Sequence, residues 1–481
     1  MGARSSHRGA GAYQARPVSG IRRACLAGAS VVALAAVSGP GAALAAEPAP
    51  VWVLPESAKT LLAAERLTGD WGGLRTKLED SGITIDLTQT MDILGNLSGG
   101  VRRGGAYDGV FEAEITADLE KLWGWKGGTV YASGYVIQGH GLSTYYLENL
   151  LTITSVEADP AVRLGELWFQ QSLFDDKVKV KVGQILADQN FVISDTAGLF
   201  VNSTFGFPGS FGTDLPDGGP AYPLATPGAQ IIWQPTDAWL IQAAIFNGNP
   251  IGNGTNPHSL DFPLNNGYFA IAEVGYTYTP EGKGDFQATT VKVGGWYNSE
   301  NFDSLNRSAN GWPIGMPQAS DDPWQDKGDY ALYALIDTAL WTEPGTDDQG
   351  LRGFARFTIS PQNDRNLINW YADGGLTYTG LIAGRDADVF GVAFAYANIS
   401  PAQADATRIG NFFSSAPFDP IPDYEAVLEI TYQAAVAPWL SVQPFFQYVF
   451  HPGGNVANPN SMLKTPIQNA AVIGTRIGMT F

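Results

Sequence analysis

From Ile83 to Phe481 the chain alternates between apolar and polar positions, in short segments separated by breaks rich in Gly, Pro and Asp. The clearest case runs from Asp423 to His451. Tyr424, Ala426, Leu428, Ile430, Tyr432, Ala434 and Val436 share one parity, while Glu425, Glu429, Thr431 and Gln433 share the other, with Val427 as an apolar intruder. After Pro438, Leu440, Val442, Phe446, Tyr448 and Phe450 oppose Ser441, Gln443, Gln447 and His451. Side chains alternate across a strand, so this pattern predicts a hairpin with one apolar and one polar face. Aromatic residues near the strand ends, with small or aliphatic ones between them, suit a face turned to lipid.

Sixteen such segments can be read: 83–93, 110–120, 128–138, 163–171, 177–184, 228–234, 238–246, 269–279, 286–297, 330–341, 352–360, 369–378, 388–398, 424–436, 438–450 and 470–481. Connections after even-numbered segments are short. Those after odd-numbered ones are mostly long, among them 94–109, 139–162, 185–227 and 298–329, with 361–368 the exception. This parity is what an up-and-down sheet produces when both ends of the chain lie on one side of a membrane. An even strand number also lets the sheet close without an exposed edge, which lipid would not tolerate. The expectation is an all-β fold, a transmembrane antiparallel β-barrel of sixteen strands over residues 83–481.

Charges follow the same alternation. Glu112, Glu114, Asp118 and Glu120 oppose Phe111, Ala113, Ile115, Ala117 and Leu119; Lys177, Lys179 and Lys181 oppose Val178, Val180 and Val182. Lys or Arg facing lipid at the midplane costs about 2–4 kcal/mol, so the polar face must line a hydrated lumen. Glu112, Glu114, Asp118, Glu425 and Glu429 are therefore expected to be lumen-lining. The last segment, Ala470–Phe481, ends on an aromatic residue, and Phe481 is expected to act as the assembly signal read by the barrel-insertion machinery.

The N-terminal residues set the compartment. Arg4, Arg8, Arg16, Arg22 and Arg23 precede the small-apolar run Leu26–Val37 and the small-x-small site Ala43-Leu44-Ala45. Residues 1–45 therefore read as a secretory signal peptide, with Cys25 incidental to it. Residues 46–82 are expected to be a periplasmic segment with a short helix after Thr68 or Asp70, presenting Trp71, Leu74 and Leu78 on one side.

Composition narrows the class. Without the signal peptide the chain has 23 basic and 47 acidic residues, a formal charge of −24. That argues against nucleic acid as a partner, since a basic footprint is missing. No apolar run after the signal is long enough for a spanning helix. His140, His258 and His451 are scattered and Cys is absent from the mature chain, so neither a metal nor another cofactor is expected. A nucleophile paired with a base is also missing, and no enzymatic activity is expected.

Several blocks together resemble the OprB-type carbohydrate-selective porins: Gly69-Asp70-Trp71-Gly72-Gly73-Leu74-Arg75, Glu157-Ala158 with Arg163-Leu164 and Glu166-Leu167-Trp168, Val182-Gly183 with Asp188, and Pro438-Trp439-Leu440 with Pro452-Gly453-Gly454. The resemblance implies a sixteen-stranded porin of the Gram-negative outer membrane, passing monosaccharides and related small sugars by passive diffusion. One departure is visible. Thr154-Ser155-Val156-Glu157-Ala158 lacks the asparagine expected in that run.

Sixteen strands enclose an aqueous channel, so selectivity needs something folded inward. Loop 185–227, with Phe191, Phe200, Phe205, Phe207 and Phe211, is the expected constriction loop, and loop 139–162 is the other candidate for the narrowest point. A sugar-selective site should offer an aromatic face and hydrogen-bonding groups for hydroxyls. Glu166, Trp168 and Gln170 share one side of their strand, and Lys179 and Lys181 lie on the next. With Arg163, Glu157 and Asp188 from the family blocks, these are the expected constriction residues: Arg163 donating to vicinal hydroxyls, Glu157 and Glu166 accepting, Trp168 stacking. The alternative is an unselective, weakly cation-preferring diffusion pore. The partners expected are outer-membrane lipid, small carbohydrates and the insertion machinery, with the particle either a monomer or a homotrimer.

Overall fold

The computed structural model describes residues 60–481 apart from Asn253 and Ala416. The expected signal peptide, 1–45, and the first part of the 46–82 segment lie outside the described residues. The strands are β1 (Ile83–Gly100), β2 (Gly104–Asp118), β3 (Gly128–Gly139), β4 (Ala161–Leu173), β5 (Val178–Ile185), β6 (Thr226–Thr236), β7 (Trp239–Asn247), β8 (Tyr268–Tyr278), β9 (Thr289–Ser308), β10 (Pro323–Thr342), β11 (Gly350–Ile359), β12 (Ile368–Thr379), β13 (Val389–Ile399), β14 (Tyr424–Ala437), β15 (Leu440–Phe450) and β16 (Gln468–Thr480). Each pairs antiparallel with its sequence neighbours, and β1 pairs with β16 from Thr88↔Thr480 to Gly100↔Gln468, closing the barrel.

The outward parity is exposed and greasy, as Ile115, Val182, Leu332, Phe357 and Ile473 show. Aromatic girdles mark both rims. At one, Trp370, Tyr396, Tyr424 and His451 stack in series across β12–β15, with centroids 4.3–5.0 Å apart. At the other, Trp239 packs on Tyr276 and Trp341 on Tyr378.

Two expected long loops are largely strand. β1 and β2 meet across residues 101–103 rather than 94–109, and β9 and β10 extend deep into 298–329. Beyond the lipid nothing demands an apolar face, so the alternation lapses there while the hydrogen-bond ladder continues. Asp118 also departs from expectation. It ends β2, and its Oδ1 accepts from the N–H of Glu120 (2.9 Å) and Lys121 (3.3 Å), capping the helix Leu119–Trp123 at the rim next to the Phe481 end of the β1–β16 seam instead of lining the lumen.

The helix Leu74–Ser81 sits against β1 at the same rim. Arg75 is buried, with its guanidinium over Trp71; Nη2 donates to the carbonyl of Phe481 (2.8 Å) and Nη1 to that of Gly69 (3.0 Å). Leu67 N donates to Thr480 O and Phe481 N to Leu87 O, both at 2.9 Å. The helical segment is thus fastened to the β1–β16 seam.

The packed core lies inside the barrel. Loops 140–160 and 186–225 both fold into the lumen. Leu142, Leu147, Leu151 and Ile153 from the first, with Phe200, Val201 and Phe205 from the second, cluster against Phe354, Tyr371, Val427, Phe445 and Val449 of the wall. Phe191, Val192, Phe211 and Leu215 form a second cluster with Phe246, Phe269, Trp296 and Tyr333. Val427 breaks its strand's alternation because its inward neighbour is this apolar plug rather than water.

Candidate functional site: the lumen between the inserted loops and the wall

Inward-facing charges of the far wall hold the plug in place. Glu425 accepts from the N–H groups of Leu150 (2.8 Å), Leu151 (2.6 Å) and Gly453 (2.6 Å). Glu429 accepts from Val201 (2.7 Å) and Asn202 (2.9 Å). Both are fully buried. Their parity is inward as expected, but they do not line open lumen: loop backbone covers them. Asp337 takes three hydrogen bonds from Ser194 and Thr196 and pairs with Arg352 at 2.7 Å. Arg356 forks onto Asp373 and also donates to the carbonyls of Val192, Thr204, Phe205 and Gly206. Tyr371 donates to Asp373 at 2.9 Å. Arg476 forks onto Asp92 and reaches Thr154 and Ser155. Of these anchors only Glu425 and Glu429 were singled out from the sequence, although each sits at an inward position of its strand.

A cavity of about 560 Å³ lies between the two loops and β1–β4. Glu112, Glu114, Glu157, Glu166 and Asp188 line it, with Tyr131, Tyr135 and Tyr222. Thr152, Thr154, Ser155 and Ser203 add hydroxyls, and Phe207 adds an apolar surface. Glu114 accepts a short hydrogen bond from the Tyr131 hydroxyl. Glu166 accepts from Leu186 N (2.8 Å), where loop 186–225 departs from β5. Asp188 accepts from Tyr222 N (2.8 Å), and its Oδ1 is buried with no donor in contact. Burial pushes the Asp188 carboxyl up to about 7, partly countered by that N–H. Tyr222 packs edge-on against Tyr135, with centroids 5.4 Å apart.

Glu157 lines the cavity while organising its own loop. It accepts from Ser143 N (3.1 Å), Ser143 Oγ (2.9 Å) and Thr144 N (3.3 Å). Burial raises its pKa and these donors oppose the rise. The close approach needs glycine at Gly141, where a Cβ would stand 1.8 Å from Oε1.

The remaining expected constriction residues lie elsewhere. Arg163, opposite Tyr135 on β3, extends to Asn256 O and Ser259 Oγ of the 247–268 loop, both at 3.4 Å. Trp168 is stacked on Tyr131 at 4.9 Å, and Lys181 Nζ lies 4.5 Å over its ring. The indole is thus partly buried between Tyr131 of β3 and Lys181 of β5. Lys181 is buried and donates to Asn190 Oδ1 (3.2 Å). Gln170 faces Lys181 across the β4–β5 ladder, and Lys179 faces Ser172 near the start of β5. These five side chains border the cavity region without lining it. Tyr131, Tyr135 and Tyr222 were missed in their place. The two on β3 could have been read from their shared parity, but Tyr222 reaches the site only through the fold of its loop.

The architecture has close counterparts among solved structures. The "High pH structure of Pseudomonas putida OprB" superposes with a TM-score of 0.77 at 23% identity, covering 87% of this chain and 99% of that one. The low-pH structure of the same protein gives 0.53 at 17% identity, with the same coverage. Among curated proteins, Porin B of Pseudomonas aeruginosa is 24% identical over 435 residues, which is 86% of this chain and 91% of that protein. The sequence model of one family, described as "Carbohydrate-selective porin, OprB family", matches residues 102–481. With a sixteen-stranded closed barrel and most of its length matched, the chain belongs to the OprB family of carbohydrate-selective porins and is a sugar-selective diffusion channel of the Gram-negative outer membrane.

Proposed function

We propose that single sugar rings pass through the cavity between the two inserted loops and β1–β4, with Glu112, Glu114, Glu166 and Asp188 accepting from sugar hydroxyls and the tyrosines offering apolar contact to C–H faces. Glu157 shapes the rim of this passage, since its oxygens already serve Ser143 and Thr144. Arg163 acts at a distance, by holding loop 247–268 beside the entrance. Transit is passive and involves no chemical step. The observation that carries this reading is a cavity whose wall alternates carboxylates, hydroxyls and phenol rings beside the apolar plug. Weak, multiple acceptor sites suit conduction, which fails if any one site binds too tightly.

The acidic lining also favours a second reading, an unselective pore with a mild cation preference. Liposome swelling with sugars and amino acids of matched size separates the two. Faster swelling with the sugars is expected, and equal rates would leave only the second reading.

We further infer that Phe481 is the residue read by the insertion machinery. Phe481→Ala keeps the backbone carbonyl that Arg75 holds and removes only the ring. The expected outcome is less folded barrel in the outer membrane with unchanged permeation per barrel; normal insertion would refute it.

A further inference from the structure

The charge balance of the cavity is one-sided. Five carboxylates line it and no Lys, Arg or His does. The cations nearest to it are committed elsewhere: Arg163 to the 247–268 loop, Lys181 to Asn190 and the Trp168 ring, Arg476 to Asp92. Asp188 presents a buried Oδ1 with no donor, so a ligand that brings its own charged N–H would supply the contact this atom lacks. Behind the lining, Asp108 is fully buried and neither of its oxygens has a partner.

A cavity of about 560 Å³ is comparable in width to the Debye length, about 10 Å at 0.1 M salt. A permeant inside it is therefore not screened from the lining carboxylates. Low-dielectric walls, here the apolar plug on one side and the barrel on the other, concentrate that field. A neutral sugar feels it only through its dipoles, whereas a charged sugar feels it directly.

Resting on the reading that sugar rings use this cavity, we propose that the pore discriminates among sugars by charge and is built for cationic ones: amino sugars pass in preference to neutral hexoses, and sugar acids are held back. The ammonium group replaces one hydroxyl of the ring and donates to the Asp188–Glu166 or Glu112–Glu114 carboxylates, while the remaining hydroxyls are recognised as in a neutral sugar. Charge-assisted hydrogen bonds are roughly twice as strong as neutral ones, and an ammonium carries three donors.

The test uses purified full-length barrel in planar bilayers and liposomes with glucosamine, glucose and glucuronate, three rings of nearly equal size. It is run at pH 7, where the amine of glucosamine is largely protonated and Asp188, at about 7, is partly ionised. At 0.1 M salt the expected order of flux is glucosamine, glucose, glucuronate, with steps of about three- to tenfold. At 1 M salt, where the Debye length is about 3 Å, the three should converge. Glu112→Gln, and Glu112→Gln with Glu114→Gln, keep an acceptor at each position and should compress the order at low salt. If the double variant fails to fold, the salt series on the unaltered protein and the single variant still decide. Glucose passing as fast as glucosamine at low salt would overturn this proposal while leaving sugar permeation intact. Glucose passing no faster than a matched amino acid would instead overturn the sugar-site reading itself.

Discussion

The two halves of the lumen use the same residue types to opposite ends. On β2, Glu112 and Glu114 look into an open cavity, while Glu166 on β4 lines it and also holds Leu186 N of the loop. On β10, β12 and β14, Asp337, Asp373, Glu425 and Glu429 also look inward, yet every one is buried against a loop, an arginine or both. The difference is what lies opposite. A carboxylate facing water is left free to meet a permeant, whereas one facing a loop end satisfies backbone N–H groups that would otherwise be stranded. Inward parity thus places a charge on the lumen side without deciding whether it conducts or anchors.

The contrast is broken most severely at Arg356. This guanidinium joins Asp373 to four carbonyls of the inserted loop. Arg356→Ala leaves Asp373 buried and uncompensated, and breaking a buried pair in this way costs about 3–5 kcal/mol. Loop 186–225 should lose its seat, giving a larger, noisier single-channel conductance and a lower unfolding temperature in detergent. A quiet channel of unchanged size would show that the plug is held by its apolar contacts alone.

A smaller effect is expected at Glu429, which serves Val201 N and Asn202 N. Glu429→Ala strands both, at about 1–3 kcal/mol for each buried unsatisfied group. Glu429→Gln keeps one acceptor and should lie between the alanine variant and the unaltered protein. Conductance noise, ranked across the three, is the measurement. If the glutamine variant were no better than alanine, hydrogen bonding to the loop would not be what Glu429 supplies.

Alternation was enough to place all sixteen strands and to say which way each carboxylate points, because lipid imposes a period that survives in the sequence. It could not separate Glu112 from Glu425, since the plug that covers Glu425 is made of residues such as Leu151 and Phe200, far away in the chain and without periodicity of their own. The surroundings of Trp168 were hidden for the same reason. The inward parity was right, but Tyr131 and Lys181 occupy its flanks, and cross-strand packing of that kind depends on register. Asp118 shows a third limit: at a strand end a short polar side chain caps the next turn, whichever face the alternation assigns it.

On the open wall the expectations reverse: function should change while stability does not. Glu112 is half-exposed and makes no contact with either loop that resembles the anchors of the far wall. Glu112→Gln should leave unfolding within about 0.5 kcal/mol of the unaltered barrel. It should also lower the ratio of cation to anion permeability, read as a shift in reversal potential across a salt gradient. A destabilised barrel with unchanged reversal potential would place Glu112 among the anchors and erase the distinction between the walls.

The smallest effect should come from Asp188, the cavity carboxylate carried by loop 186–225. Asp188 is bonded to Tyr222 N, borders Glu166, and titrates at about 7 because burial disfavours its charged form. Below that pH it is neutral, and above it the cavity gains one negative charge beside those on β2 and β4. Cation preference should therefore rise as pH goes from 6 to 8, with Asp188 contributing one charge among several within a Debye length. Asp188→Asn should make this rise smaller. Glu429→Gln, altered on the far wall, should leave the rise in place. If the far-wall variant abolished the rise and Asp188→Asn did not, the titrating group would lie under the plug, and the anchors rather than the open carboxylates would set the charge that a permeant meets.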